Sequence, residues 1–85
     1  MYMKKILVNI RVPNLEKGYD VWISGADTIA DVKLLISAAI SELEPQKYFL
    51  DPECVLASME RNLVFQNDKS VEDMGIQMGE QLLLI

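Results

Sequence analysis

The sequence predicts an α+β domain of two strands, one helix and further strands. Three observations predict it. Apolar residues alternate with period two through Lys4–Val12 and again through Tyr19–Ser24. A capped segment from Ile29 to Leu43 repeats its apolar residues at helical spacing. A last apolar run, Gln81–Ile85, follows a turn near the end of the chain.

In the first strand Ile6, Val8, Ile10 and Val12 alternate with Lys5, Leu7, Asn9 and Arg11, so one face is apolar and the other mixed. Pro13 ends it, and Asn14-Leu15-Glu16-Lys17-Gly18 carries turn chemistry. Tyr19, Val21 and Ile23 then alternate with Asp20, Trp22 and Ser24, which makes the pair a hairpin; Gly25 and Ala26 break the pattern. Thr28 is placed to cap the free amides of a helix start, and Asp31 in the first turn suits the positive end of the helix dipole. At about 100° per residue Ile29, Val32, Ile36, Ala39, Ile40 and Leu43 fall on one stripe with Leu35 on its flank, and this stripe is expected to face the sheet. Pro45 stops the helix.

Between Gln46 and Ser70, Cys54–Ser58 reads as a strand and Asn62–Phe65 as a shorter one, separated by Met59-Glu60-Arg61. Val71–Gly75 is a short helical turn closed by glycine, and Met78-Gly79-Glu80 a turn into the last strand. No repeat, linker or low-complexity segment appears, so one domain is expected to cover 1–85.

Composition narrows the function classes. Eighty-five residues suffice for one core but leave little room for a deep substrate cleft. Hydrophobic residues make up 51% and charged ones 25%, a globular balance. Thirteen acidic residues against eight dispersed basic ones give a net charge of −5, which argues against nucleic acid as a partner, because phosphate affinity draws on clustered Lys and Arg. No apolar run approaches the roughly 20 residues that span a bilayer. Met1-Tyr2-Met3-Lys4-Lys5 leads into an alternating strand, unlike a signal peptide. The expectation is a cytoplasmic protein with no direct membrane insertion.

Cys54 is the sole cysteine and there is no histidine, so an internal disulfide, a thiolate cluster and the commonest general base are all missing. Cys54 is read as a small packed hydrophobe in preference to a nucleophile. Asp51, Glu53, Glu60, Asp68, Glu72 and Asp73 lack the spacing of a calcium loop and are read as solvated surface. No cofactor or metal is expected, and no enzyme.

Asp27-Thr28-Ile29-Ala30-Asp31-Val32-Lys33 followed by Ile36 resembles the start of the ubiquitin helix. Ser70-Val71-Glu72-Asp73-Met74-Gly75-Ile76-Gln77, with Leu82 and Leu84, resembles ubiquitin's last turn and closing strand. The resemblance implies a β-grasp fold, a mixed sheet of four or five strands packed on one helix, with the first and last strands paired in parallel. Within it, Val71-x-Asp73-x-Gly75-Ile76-x-x-Gly79-x-x-Leu82-x-Leu84 is similar to the bacterial YukD/EsaB group, cytoplasmic ubiquitin-like proteins linked to type VII (WXG100, or ESX) secretion. Ubiquitin-like modifiers and sulfur carriers end in a flexible Gly-Gly, whereas the last residue here is Ile85, so neither role is expected. Ferredoxins share the fold, but one cysteine does not hold their cluster.

The resemblance implies a protein-binding surface on the sheet face away from the helix. Leu82 and Leu84 are expected inward and Leu83 and Ile85 outward, together with Leu7, Asn9, Arg11 and Trp22. Trp22, Leu83 and Ile85 are the expected anchors, with Leu7 and Arg11 at the edge, unless the segment around Tyr48, Phe49 and Leu50 covers Trp22 and Leu83. On the helix, Leu34 lies away from the inward stripe beside Ala38 and Ser41, and is a further candidate contact. Lys33 matches a lysine largely buried in ubiquitin and is expected to pair an acidic residue. The partners implied are a protein, with type VII secretion machinery first, or a second copy of the chain. A ubiquitin-like module of an unrelated assembly is the alternative.

Overall fold

The computed structural model describes residues 4–46 and 53–85. Its elements run β1 (Lys5–Val12), β2 (Lys17–Ser24), α1 (Ile29–Leu43), β3 (Leu56–Ser58), β4 (Leu63–Val64) and β5 (Gln81–Leu84). They form one five-stranded sheet in the order β2-β1-β5-β3-β4. At its centre β1 and β5 run parallel, with Ile10 opposite Leu82 and Arg11 opposite Leu83. The other pairs are antiparallel. This is the mixed sheet and the parallel pairing that the resemblance implies.

The inner face follows from the period-two alternation. Ile6, Val8, Ile10 and Val12 of β1, Leu82 and Leu84 of β5 and Leu56 of β3 are buried against Ile29, Val32, Ile36 and Ile40 of α1. Each fully buried aliphatic side chain contributes about 1.5–3 kcal/mol by leaving water. Val71, Ile76 and Phe65 close the ends of this core.

Element boundaries differ from expectation where local geometry decides. The hairpin turn is a single 3-10 turn, Pro13–Leu15, after which Glu16 takes a left-handed conformation at φ 54° and donates its amide to the Pro13 carbonyl. The chain thus reverses in fewer residues than expected, and β2 begins at Lys17 instead of Tyr19. β3 and β4 are each shorter than the runs Cys54–Ser58 and Asn62–Phe65. Val55 and Ile85 nevertheless exchange a pair of backbone hydrogen bonds just beyond β3 and β5, at 2.8 and 2.9 Å.

The helix has the expected bounds and cap: Thr28 Oγ1 accepts the Asp31 amide at 3.2 Å. Its roll is a correction. Ala39, Leu43 and Leu35 are exposed, whereas Lys33 and Ser37 are buried. The cause is a backbone carbonyl that needs a donor in a dry place. Lys33 Nζ donates to the Cys54 carbonyl oxygen at 2.7 Å, and Ser37 Oγ lies 3.9 Å from Cys54 Sγ, which turns the Lys33–Ser37 flank toward the chain entering β3. The partner seen for Lys33 is therefore a carbonyl and not the expected acidic side chain.

Candidate protein-binding surface

The outer sheet face is ordered into rows by strand register, because directly opposed residues share a face. One row crosses all five strands: Gly18, Arg11, Leu83, Ala57 and Val64. Arg11 and Val64 are exposed, Leu83 is half-buried, and Ala57 is covered between its neighbours. Ile85, 65% exposed, and Val55 extend this apolar area at the end of β5. A second apolar pair lies at the other end of β1, where Trp22 stands opposite Leu7. Trp22 is 57% exposed, and the Met78 thioether accepts the Leu7 amide at 3.2 Å.

Between the two apolar areas runs a polar row of Asp20, Asn9 and Gln81, in which Asn9 Nδ2 donates to Asp20 Oδ1 at 3.1 Å. Leu7 and Arg11 are four residues apart on one strand, about 13 Å. The single patch expected from the sequence is thus divided into two. Trp22 and Leu7 belong to one half, and Leu83, Ile85 and Arg11 to the other. The covering segment around Tyr48, Phe49 and Leu50 lies outside the described residues. Leu34 is 55% exposed on α1, remote from this face.

What holds Leu83 and Ile85 in register is a buried ionic cluster just before β5. Glu80 is almost fully buried, and its carboxylate accepts from Ser58 Oγ at 2.6 Å, the Gln77 amide at 2.9 Å and Arg61 Nε at 3.0 Å. Arg61 also donates to the Met74 carbonyl and places its guanidinium 5.4 Å from the Phe65 ring centroid. Burial alone would raise the Glu80 pKa, but these hydrogen bonds and the Arg61 charge outweigh it and hold the carboxyl below its ordinary value. The cluster ties the end of β3, the loop through Met74 and the start of β5 into one unit. Sequence reasoning passed over it, treating Arg61 as a polar spacer and Glu80 as a turn residue. A signal was present: Glu80, Leu82 and Leu84 share one period-two register, and a carboxylate in an inward register needs a partner.

The turn that precedes this cluster is fixed by a reciprocal cap, with the Asp73 amide donating to Ser70 Oγ at 2.9 Å and the Ser70 amide to Asp73 Oδ2 at 3.4 Å. Gly75 closes it in the left-handed region at φ 68°. Cys54 is a buried free thiol. A cleft of about 600 Å³ opens beside it, lined in part by Lys33, Glu53, Val64, Phe65 and Asn67. The polar head of Lys33 is already bonded there to the Cys54 carbonyl. Among the described residues no cluster of three cysteine or acidic side chains is arranged to hold a metal ion, and no helix is long and apolar enough to cross a membrane.

No family model matches the sequence, and no curated protein does. Solved structures match the fold. The ubiquitin-like domain of the Mycobacterium tuberculosis type VII secretion system protein ECCD1 superposes with a TM-score of 0.74 at 20% identity, over 98% of this chain and 99% of that one. The ubiquitin of Caldiarchaeum subterraneum gives 0.75 at 14% identity, over 96% of this chain and 92% of that one. A chain of the toluene 4-monooxygenase HD complex gives 0.79 at 10% identity, over 95% and 96%. The protein has a ubiquitin-like α+β fold, its five-stranded mixed sheet packed on one helix.

Proposed function

We propose that the protein is a non-catalytic, cytoplasmic protein-binding module that serves a type VII secretion system as an accessory or regulatory component, and that it docks through the outer face of its sheet. The observation that carries the binding reading is the row Arg11–Leu83–Ala57–Val64 with Ile85 at its end, an apolar strip across the sheet with a cation at its edge. An exposed apolar area bordered by charge is what a protein partner covers, and Trp and Arg are the residue types that most often dominate such contacts. Trp22 and Leu7 form a second anchor about 13 Å away along β1. A partner must bridge the polar row between the two.

The secretion reading draws support from the residue pattern of Val71 to Leu84 and from the likeness in fold to the ECCD1 domain, which spans nearly all of both chains. A module of an unrelated assembly is the second reading, favoured by the likeness to a chain of the monooxygenase complex. Titrating the protein with purified soluble domains of type VII secretion components tests the choice. Wild type is expected to bind one of them, and Trp22→Ala and Leu83→Asp to bind roughly tenfold more weakly at a temperature where both variants remain folded. Equal binding by Leu83→Asp would remove the sheet face as the site. Failure of wild type to bind any component would leave the second reading.

A further inference from the structure

The corrected roll of α1 leaves an apolar surface that the sheet does not use. Leu35, Ala39 and Leu43 follow one another at intervals of four residues, the spacing of a ridge along a helix, and Leu34 and Ala38 form the start of the adjacent ridge. Leu34, Leu35 and Leu43 are 55%, 51% and 65% exposed, and both alanines are exposed. Two small residues flanked by leucines make a shallow saddle into which a second helix packs closely, at about 8–10 Å between axes.

Charge identifies the occupant. The charged residues that α1 exposes are acidic, Asp31 in its first turn and Glu42 near its end, while Lys33 is buried. The last turn of α1 has no basic residue of its own; Lys17 of β2 pairs with the C-cap residue Glu44, and Glu42 stands exposed beside Leu43. A second copy of the chain would set Asp31 against Glu42 in an antiparallel pairing, or like residues against like in a parallel one, between molecules that each carry a net charge of −5. A foreign helix with basic borders meets no such repulsion.

We propose that this face of α1 is a second docking surface, separate from the sheet, and that it receives an amphipathic helix of another protein whose apolar stripe is bordered by Lys or Arg. Such a helix runs antiparallel to α1, so that its positive end and its cations lie over Glu42. With the sheet face also occupied, the module joins two partners on opposite sides of one small core.

The test uses a synthetic amphipathic peptide of about 18 residues with a Leu/Ala stripe and lysine borders, beside the same peptide with glutamate borders. Titrated into isotope-labelled protein, the lysine peptide is expected to shift the amides of residues 34–43. Ala39→Glu and Leu35→Ser, both at exposed positions, are each expected to weaken it roughly tenfold with an unchanged melting temperature. Glu42→Lys is expected to weaken the lysine peptide and strengthen the glutamate one. Leu83→Asp leaves the binding unchanged, so this surface and the sheet surface stand or fall separately. The proposal is overturned by no binding, by equal binding of both peptides, by shifts confined to the sheet, or by a wild-type dimer that Ala39→Glu dissociates.

Discussion

The two faces of β1 and β2 are built from the same backbone and behave oppositely. Inward, Ile6, Val8, Ile10 and Val12 are buried in unbroken succession and touch α1 or the central strands. Outward, Lys5, Asn9 and Arg11 are polar and Leu7 alone is apolar, and the Trp22 that pairs with Leu7 is more than half exposed. The inner face has one requirement, to fill space without water. The outer face is free of that requirement, so its composition is available for recognition. What separates the core from the proposed binding face is therefore a single step along a strand.

The largest expected effect tests the inner face. Ile10 is fully buried at the centre of the sheet between β2 and β5. Ile10→Ala should cost about 3–4 kcal/mol in chemical denaturation, from lost transfer energy and the cavity left behind. Its neighbour Arg11 points outward, and Arg11→Ala should cost no more than about 0.5 kcal/mol. Similar costs at the two positions would break the division between faces.

An intermediate effect is expected where the inner register carries charge. Glu80→Gln keeps the shape but removes the negative charge that Ser58, the Gln77 amide and Arg61 converge on, and should cost roughly 2 kcal/mol at pH 7. The sign of the pH dependence follows from the depressed pKa. A carboxyl held below its ordinary value of 4.5 binds its proton less readily folded than unfolded, so its contribution is complete above that value and is lost as pH falls through the lower folded pKa. The gap between wild type and Glu80→Gln should therefore be widest near neutral pH and close in acid. A gap that stays constant with pH would mean that the charge of Glu80 does not carry the stabilisation.

How much of this was legible in the sequence depends on whether a local rule or a tertiary contact decided the outcome. The cap at Thr28, the helix bounds and the inward register of β1 follow from local patterns that nothing in the fold opposes, whereas the parallel β1–β5 pair comes from the resemblance to ubiquitin. The roll of α1 does not, because it depends on a carbonyl at Cys54 that is distant in sequence and has no side-chain signature. The hairpin is early by two residues because Glu16 adopts a left-handed turn that non-glycine residues rarely take. On the surface, the direction of each outward side chain was readable by alternation. The division of the face by Asp20, Asn9 and Gln81 was not, because it needs the inter-strand register. Leu34 was singled out alone, whereas the apolar surface around it became visible only once Leu35, Ala39 and Leu43 were seen to face outward.

The smallest expected effect gives the sharpest comparison, since it sets a large side chain against a smaller one next to it. Trp22 and Ile23 are adjacent on β2 and point to opposite faces: Ile23 is buried in the core, and Trp22 stands opposite Leu7 with most of its surface in solvent. If size governed stability, removing the indole would be the worse change. If the face governs it, Ile23→Ala should cost about 3 kcal/mol and Trp22→Ala about 1–1.5 kcal/mol, because less than half of the indole surface is buried. For a domain of this length these costs correspond to a fall in melting temperature of roughly 15 °C against roughly 7 °C. A core tryptophan would cost about 3–5 kcal/mol on the same truncation. A fall in the melting temperature of Trp22→Ala as large as that of Ile23→Ala would therefore place Trp22 in the core and take away one of the two anchors of the sheet surface.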